Sequence, residues 1–403
     1  MTTKILIALM FWALKNLLLP RSVARWTGMM LLSGAIGSTA LAQARLPLIH
    51  SGVENIDIRN GDELEKGNWR LAPEYRPDIY YTNKIGQKVT FYTDKDSISY
   101  LIHPDSVYDF VILLQGKDSA FTRIQYQPGY LDYLKKAGSY SSKDTVMYPK
   151  FTYQDSAHAA LKALRTGLRL DSIAGYGSET SRILHLMHWI HALIPHDGNH
   201  DNPEVKNAMS MISRCQQEGR GLNCRGLAIV LNECYLALGI PSRFITCMPK
   251  DSVFQDCHVI NMVFDKDLDK WIWIDPTHDA YVMDETGLLL GPAEVRERLI
   301  NGRPLILNPD ANWNNRSSTT LQYYLYEYMA KNLYRIECPV HSEYNYETRE
   351  KGKQVEYVEL LPLEAERQTP KVSSTTNPKS GVTFKQYKTN NAEAFWAKPR
   401  GGF

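Results

Sequence analysis

A chain of 403 residues has room for two domains, and 43% hydrophobic with 22% charged residues is the make-up of an ordinary globular protein. The formal net charge of +2 comes without a basic stripe interleaved with aromatics, which argues against nucleic acid as the main partner. Cys215, Cys224, Cys234, Cys247, Cys257 and Cys338 form no C-x-x-C pair and no zinc spacing. Neither a dense disulfide scaffold nor a cofactor is implied.

At the N-terminus, Ile5 to Leu14 is apolar but is interrupted by Lys15; Arg21 and Arg25 then precede a second apolar stretch, Met29 to Ala42. Small residues close that stretch, as Ala40-Leu41-Ala42 and Ala42-Gln43-Ala44. This is the pattern of a charged n-region, an h-region and a cleavage site. Neither stretch reaches the roughly 20 residues of a spanning helix. Residues 1–44 are therefore expected to be an export leader, cleaved after Ala42 or Ala44, and the mature chain to be periplasmic, cell-surface or secreted. A retained anchor is the alternative, so membrane contact is expected only through an uncleaved leader.

Residues 45–155 differ in pattern from the remainder of the chain. Trp69 to Leu71, Ile79 to Thr82, Lys88 to Tyr92, Ser97 to Ile102, Asp109 to Leu114 and Phe121 to Tyr126 are short strand-like runs parted by Gly, Asp, Asn and Pro. A small β-rich N-terminal domain is expected. Gly116-Lys117-Asp118-Ser119 lacks the upstream Gly of a phosphate loop and reads as a hairpin turn.

A second domain, residues 156–345, opens with helical patterns at His158 to Leu170, Glu179 to Leu193 and Pro203 to Gln217. His185 and His188 have a spacing that can bring two ligands to one helix face, but no Glu or Asp completes a metal motif, so packing and surface roles are expected. His196, Asp197, Gly198 and Asn199 could form a loop over a cleft.

Cys224 follows the loop Arg220 to Asn223 and opens a run with apolar residues at Leu227, Ala228, Leu231, Cys234, Tyr235 and Leu238. That spacing is helical, and Gly239-Ile240-Pro241 stops it. In the first turn, unpaired N–H groups and the positive dipole end favour a thiolate. Ser242 to Cys247, His258 to Phe264 and Trp271 to Asp275 then read as strands. If the polar turn lies within Asp265 to Lys270, the simplest antiparallel register pairs Phe264 with Asp269 and His258 with Asp275. Directly opposed residues share a face, so the carboxylate can orient the imidazole while its other nitrogen reaches a thiol. A lone Cys at a helix start is ordinarily a small buried hydrophobe; the ordered set of three argues for a nucleophile.

The segments GLNCRGLAIVLNECYLALGIPSRFITC, DCHVINMVF and WIWIDPT resemble the core of the transglutaminase-like superfamily, over roughly residues 180 to 300. The resemblance implies an α+β, papain-like core with a nucleophile helix packed on an antiparallel sheet. It makes Cys224 the nucleophile, His258 the general base and acid, and Asp275 the orienting carboxylate. Gly239, Ile240, Pro241 and Arg243 match the family's helix end. Where many members have His-Ala-Trp, this chain has His258, Val259 and Ile260, a departure that bears on the cleft wall and the substrate.

The chemistry implied is acyl transfer through a thioester, with the backbone N–H of Cys224 as one oxyanion donor. Gln216, Gln217 and Asn223 are near in sequence, none with a decisive spacing for the second. Trp271 and Trp273 read as core or cleft wall. Asp265, Asp267 and Asp269 alternate like a calcium loop, but Lys270 stands where its Gly belongs and Pro276 where its closing Glu belongs, so a solvated turn is expected.

Beyond the triad, Pro292 to Asn301 and Leu321 to Leu333 read as helices. Residues 346–403 are expected to be a linker, exposed from Gln368 to Gly381, and an aromatic tail in which Tyr387, Phe395 and Trp396 dock on the body, near the cleft. The sequence thus predicts a thiol-dependent amidase or peptidase acting on peptides or proteins. The alternatives are glutamine crosslinking or deamidation, and a non-catalytic secreted module that binds peptide or glycan.

Overall fold

The computed structural model describes residues 46–143, 148–250 and 256–399, so the expected leader lies outside the described residues. Two compact units divide the chain, Met1–Leu48 and Ile49–Phe403, and every element of the site lies in the second. No helix among the described residues is long and apolar enough to cross a membrane.

The first part of the larger unit is β-rich. Asp78–Thr82, Asp118–Tyr126 and Val107–Leu114 are neighbours in one sheet, and a second, four-stranded sheet holds Glu63–Arg70, Asn55–Asn60, Lys88–Tyr92 and Ser97–Leu101. Alternate side chains turn inward, as period-two strands require: Ile56, Ile58, Val89, Phe91, Phe110, Ile112 and Ile124 form one core. Phe91 meets Phe110 edge-on at 5.2 Å. The Gly116 segment is a hairpin turn, with Gln115 and Gly116 at φ 51° and 71°.

Helices Ala159–Gly167, Leu170–Ala174, Glu179–Leu193, Ala208–Glu218 and Cys224–Ala237 come next. Gly226 to Ala237 is buried throughout, because other helices cover the side of this nucleophile helix that the sheet does not. Gly239 takes φ 73° and ends it, letting Ile240 N–H bond back to Tyr235 O at 2.9 Å.

The sheet beneath has seven strands, ordered Lys270–Ile274, His258–Asp265, Ser242–Met248, Arg335–Pro339, Gln354–Leu360, Thr383–Thr389 and Val372–Thr376. Its strands pair antiparallel except Gln354–Leu360 with Thr383–Thr389. Phe244, Val259, Val263, Ile272 and Ile274 pack under the helices, while Ile245, Ile260, Met262, Trp273 and Ile336 pack on the other face. Burial on both faces is why these strands read as unbroken apolar runs.

Several expectations are corrected. Phe264 pairs with Trp271 and Asp265 with Lys270, so the register is two residues from the expected pairing of Phe264 with Asp269. A shift of two keeps every side chain on its predicted face. The tight turn uses Asp269 at φ 52°, and its acidic run serves as a set of acceptors. Asp265 Oδ1 takes the N–H of Asp267 at 2.9 Å, and Asp267 Oδ2 takes that of Glu179 at 2.6 Å. The helix expected over Leu321 to Leu333 is π-helical over Gln322–Met329, then α-helical over Ala330–Asn332.

The expected linker contributes an exposed edge strand, Val372–Thr376, and the tail contributes an interior one, Thr383–Thr389. Polar β-branched residues of an edge strand resemble a linker in composition. The tail does dock, but at the other end of the strands from His258. There Phe395 is buried and its carbonyl accepts from Arg243, which lies opposite Met262. The Arg243 guanidinium also stacks over Phe151 at 3.9 Å.

Candidate active site

The loop before the nucleophile is fixed by backbone pairing. Pro195 O accepts from Leu222 N–H at 3.2 Å and Leu222 O from Asp197 N–H at 2.8 Å, which sets His196 beside Leu222. A Cβ on Gly221 would lie 2.2 Å from Pro195 O, so only glycine allows this approach. Asn223 caps the helix, its Oδ1 accepting from Gly226 N–H at 3.2 Å and from Asn202 Nδ2 at 2.7 Å. Asn202 Oδ1 in turn accepts from Asn223 N–H at 3.1 Å. Cys224 is thereby held in the first turn, half-buried.

His258, at the start of its strand, is buried, and its Nε2 lies 2.7 Å from Asp275 Oδ2. Nδ1 is left free of Asp275, and the His258 and Cys224 side chains act on each other's proton affinity. Asp275 falls just past its strand and is bridged to Ala280 through two backbone bonds of 2.8 and 3.0 Å. Its Oδ2 also accepts from Tyr324 Oη at 2.6 Å, and its Oδ1 from Thr277 N–H at 2.8 Å. Trp273 Nε1 donates to Tyr324 Oη at 3.0 Å. The rings of Tyr328 and His278 stand 5.2 and 5.8 Å from His258. Cys224, His258 and Asp275 are thus brought together, in the order expected from the sequence.

Electrostatics follow from this packing. Burial alone would raise the Cys224 thiol, but hydrogen bonds with His196 and His258, the His258 charge and the Val259 N–H bring it down to about 6. Burial disfavours a charged His258, yet the Asp275 carboxylate and the Cys224 thiolate push it up to about 10. Burial would raise Asp275, and the paired His258 outweighs it and holds the carboxyl well below its ordinary range. The pair therefore favours thiolate and imidazolium together. Cys215, Cys234, Cys247, Cys257 and Cys338 are each pushed up by burial, so of the six thiols Cys224 is the one pushed down. All six are free.

His196 is the site residue that sequence reasoning left unassigned. Asn314 clamps it, Oδ1 accepting from His196 N–H at 2.6 Å and Nδ2 donating to His196 O at 3.0 Å, and its ring packs on Trp313 at 4.5 Å. No spacing links position 196 to 224; the link is the backbone pairing of their two loops. Gln216 and Gln217 lie at the end of another helix, exposed, and Asn223 is spent as the cap.

The helix histidines diverge. His185 Nδ1 meets Ala174 O at 2.8 Å, whereas His188 Nδ1 meets both Asp279 oxygens at 2.7 and 2.8 Å. His188, Asp279 and Asp310 lie close enough together to hold an ion, as do His258, Asp275 and His278. In the second group the Asp275 oxygens are already engaged by His258, Tyr324 and Thr277. Burial pushes His278 down to about 4, so it is neutral beside the charged pair.

The transglutaminase-like superfamily model matches residues 168–276. No curated protein matches the chain. Among solved structures, a candidate cysteine protease from Cytophaga hutchinsonii aligns at 18% identity over 35% of this chain and 43% of its own, with a TM-score of 0.24. The transglutaminase of red sea bream aligns at 11% identity over 52% of this chain and 50% of its own, with a TM-score of 0.18. The chain thus spans half or less of either protein. Residues 168–276, with Cys224, His258 and Asp275 among them, are thus similar to the core of the transglutaminase-like superfamily.

Proposed function

We propose that the chain is a thiol-dependent acyl-transfer enzyme acting on amide bonds of peptides or proteins, with water as the preferred acceptor. The observation that carries this is the Cys224 thiol, the one thiol of six brought down, to about 6, beside an imidazole held by a buried carboxylate. Cys224 attacks the amide carbonyl as thiolate. The oxyanion that forms is met by the backbone N–H of Cys224 in the first helical turn and by the His196 ring. His258, as imidazolium, gives its proton to the leaving amine, and a thioester remains. Water then loses a proton to His258 and attacks the thioester, releasing a carboxylic acid and the thiolate. Asp275 holds the ring throughout and stays ionised. Water is preferred because no feature of the sequence marks an amine-acceptor site. Residues 1–44 act in this proposal as an export leader, so the substrate is met outside the cytoplasm.

The test is partition between acceptors. A peptide mixture incubated with the enzyme and a dansylated primary amine should yield new carboxyl termini that depend on Cys224, with little dansyl incorporated. Dansyl incorporation outrunning hydrolysis would assign the chain to crosslinking instead.

A further inference from the structure

Next to the nucleophile in sequence, Arg225 donates from Nη1 to Glu347 Oε1 at 2.6 Å and from Nη2 to Thr246 Oγ1 at 3.1 Å. These contacts make it one wall of a cavity of about 430 Å³. The cavity lies beside the catalytic elements: Arg225 follows Cys224 on the helix, and Thr246, which it contacts, pairs with Val259, the residue after His258. Tyr357 and Phe384 give it apolar surface.

Its rim carries more cations than carboxylates. Lys206, Arg225, Arg349 and Lys385 line it, against Glu337 and Glu347. Glu347 is spent: it accepts from Arg225, from Tyr357 Oη at 2.8 Å, and has Lys206 Nζ at 3.9 Å. Two cations thus share one carboxylate, and burial pulls the Lys206 pKa down. Burial also pushes Glu337 up, which weakens its counter-charge. Lys385 leans on Glu356 at 3.5 Å, while Arg349 is exposed with no carboxylate partner among the described residues. Cations short of counter-charge gain when an anion arrives, and a planar carboxylate fits a guanidinium fork.

We propose that this cavity is a substrate subsite that takes the carboxylate of an Asp or Glu side chain flanking the reacting amide, on Lys206 and Arg349. The proposal rests on the acyl-transfer reading of Cys224 and narrows it from amides in general to amides in acidic sequences. Arg225 stays with Glu347 and forms the back of the subsite.

The test is fluorescence anisotropy of labelled hexaglutamate and hexaglutamine on the full chain carrying Cys224→Ala, so that no turnover enters. Hexaglutamate should bind at least about tenfold tighter than hexaglutamine. Adding Lys206→Gln and Arg349→Gln should erase the difference. Adding Lys66→Gln and Lys117→Gln, exposed lysines of the β-rich part that remove the same charge, should leave it intact. Equal binding of the two peptides, or an equal loss in both double variants, overturns the subsite. A chain that prefers hexaglutamate through Lys206 and Arg349 yet cleaves no amide would retain the anion site and sink the acyl-transfer reading alone.

Discussion

Tyr324 Oη donates to Asp275 Oδ2 at 2.6 Å, on the same oxygen that lies 2.7 Å from His258 Nε2. The carboxylate therefore has a donor on each side, and its position does not depend on the imidazole alone. Tyr324 and Tyr328 are four residues apart on the π-helical segment, and one reaches the carboxylate while the other packs on the imidazole.

Tyr324→Phe removes a hydrogen bond to a buried charge and strands Trp273 Nε1 as well. A loss of about 2 kcal/mol in stability is expected, read as a lowered urea midpoint. kcat should also fall, about tenfold, as the carboxylate loses its second anchor. An unchanged midpoint would show that this hydrogen bond contributes nothing to the fold.

The pH dependence has two limbs with defined signs. Cys224 is brought down to about 6, so thiolate persists until the pH falls through that value; His258 is pushed up to about 10, so the proton for the leaving amine is lost only as the pH rises through it. Both values belong to the coupled pair. Alkylation of Cys224 by iodoacetamide should be half-maximal near pH 6, and His258→Ala should move that point above the ordinary thiol value of about 8.5. A half-point that stays near 6 in His258→Ala would remove the imidazole from the account.

His196→Ala removes both a ring that helps hold the Cys224 thiol down and the second oxyanion donor proposed above. kcat should drop about 10²-fold with KM nearly unchanged. His196→Gln, which keeps an N–H donor, should recover part of the loss. A His196→Ala variant altered in KM alone would place the residue in substrate binding.

Gly226→Ala puts a Cβ at 2.5 Å from Asn202 Oδ1, within the network that caps the nucleophile helix. Displacing Asn202 frees the Asn223 cap, for an expected cost of about 1–2 kcal/mol. The loss should show in thermal unfolding and in a slower Cys224 alkylation. Phe395→Ala should cost more, about 3–5 kcal/mol, and leave the alkylation rate of the remaining folded protein unchanged, because Phe395 packs at the far end of the strands.

Much of the site is legible in the sequence because it is local. The helix Glu179–Leu193 and the stop at Gly239-Ile240-Pro241 are written in periodicity and backbone chemistry. Cys224 is marked by the helix it opens, the shared face of His258 and Asp275 follows from strand lengths and one turn, and the register difference of two residues does no harm because faces repeat every two. What is not legible is non-local. His196 reaches Cys224 through a pairing of two loops, and Tyr324 reaches Asp275 through a helix on the other face of the sheet, neither of which leaves a spacing to find. The strand Asn55–Asn60 escapes notice because only Ile56 and Ile58 mark its buried face. Val372–Thr376 passes for a linker because an exposed edge strand needs no apolar face at all.

The most direct measurement is mass spectrometry of the chain quenched in acid during reaction with a peptide mixture. The account predicts a peptide acyl group joined as a thioester to Cys224, present in the parent, accumulating in Asp275→Asn, and missing from Cys224→Ser digests as a thioester. Peptide products formed at full rate with Cys224 unmodified and replaceable by alanine would contradict it.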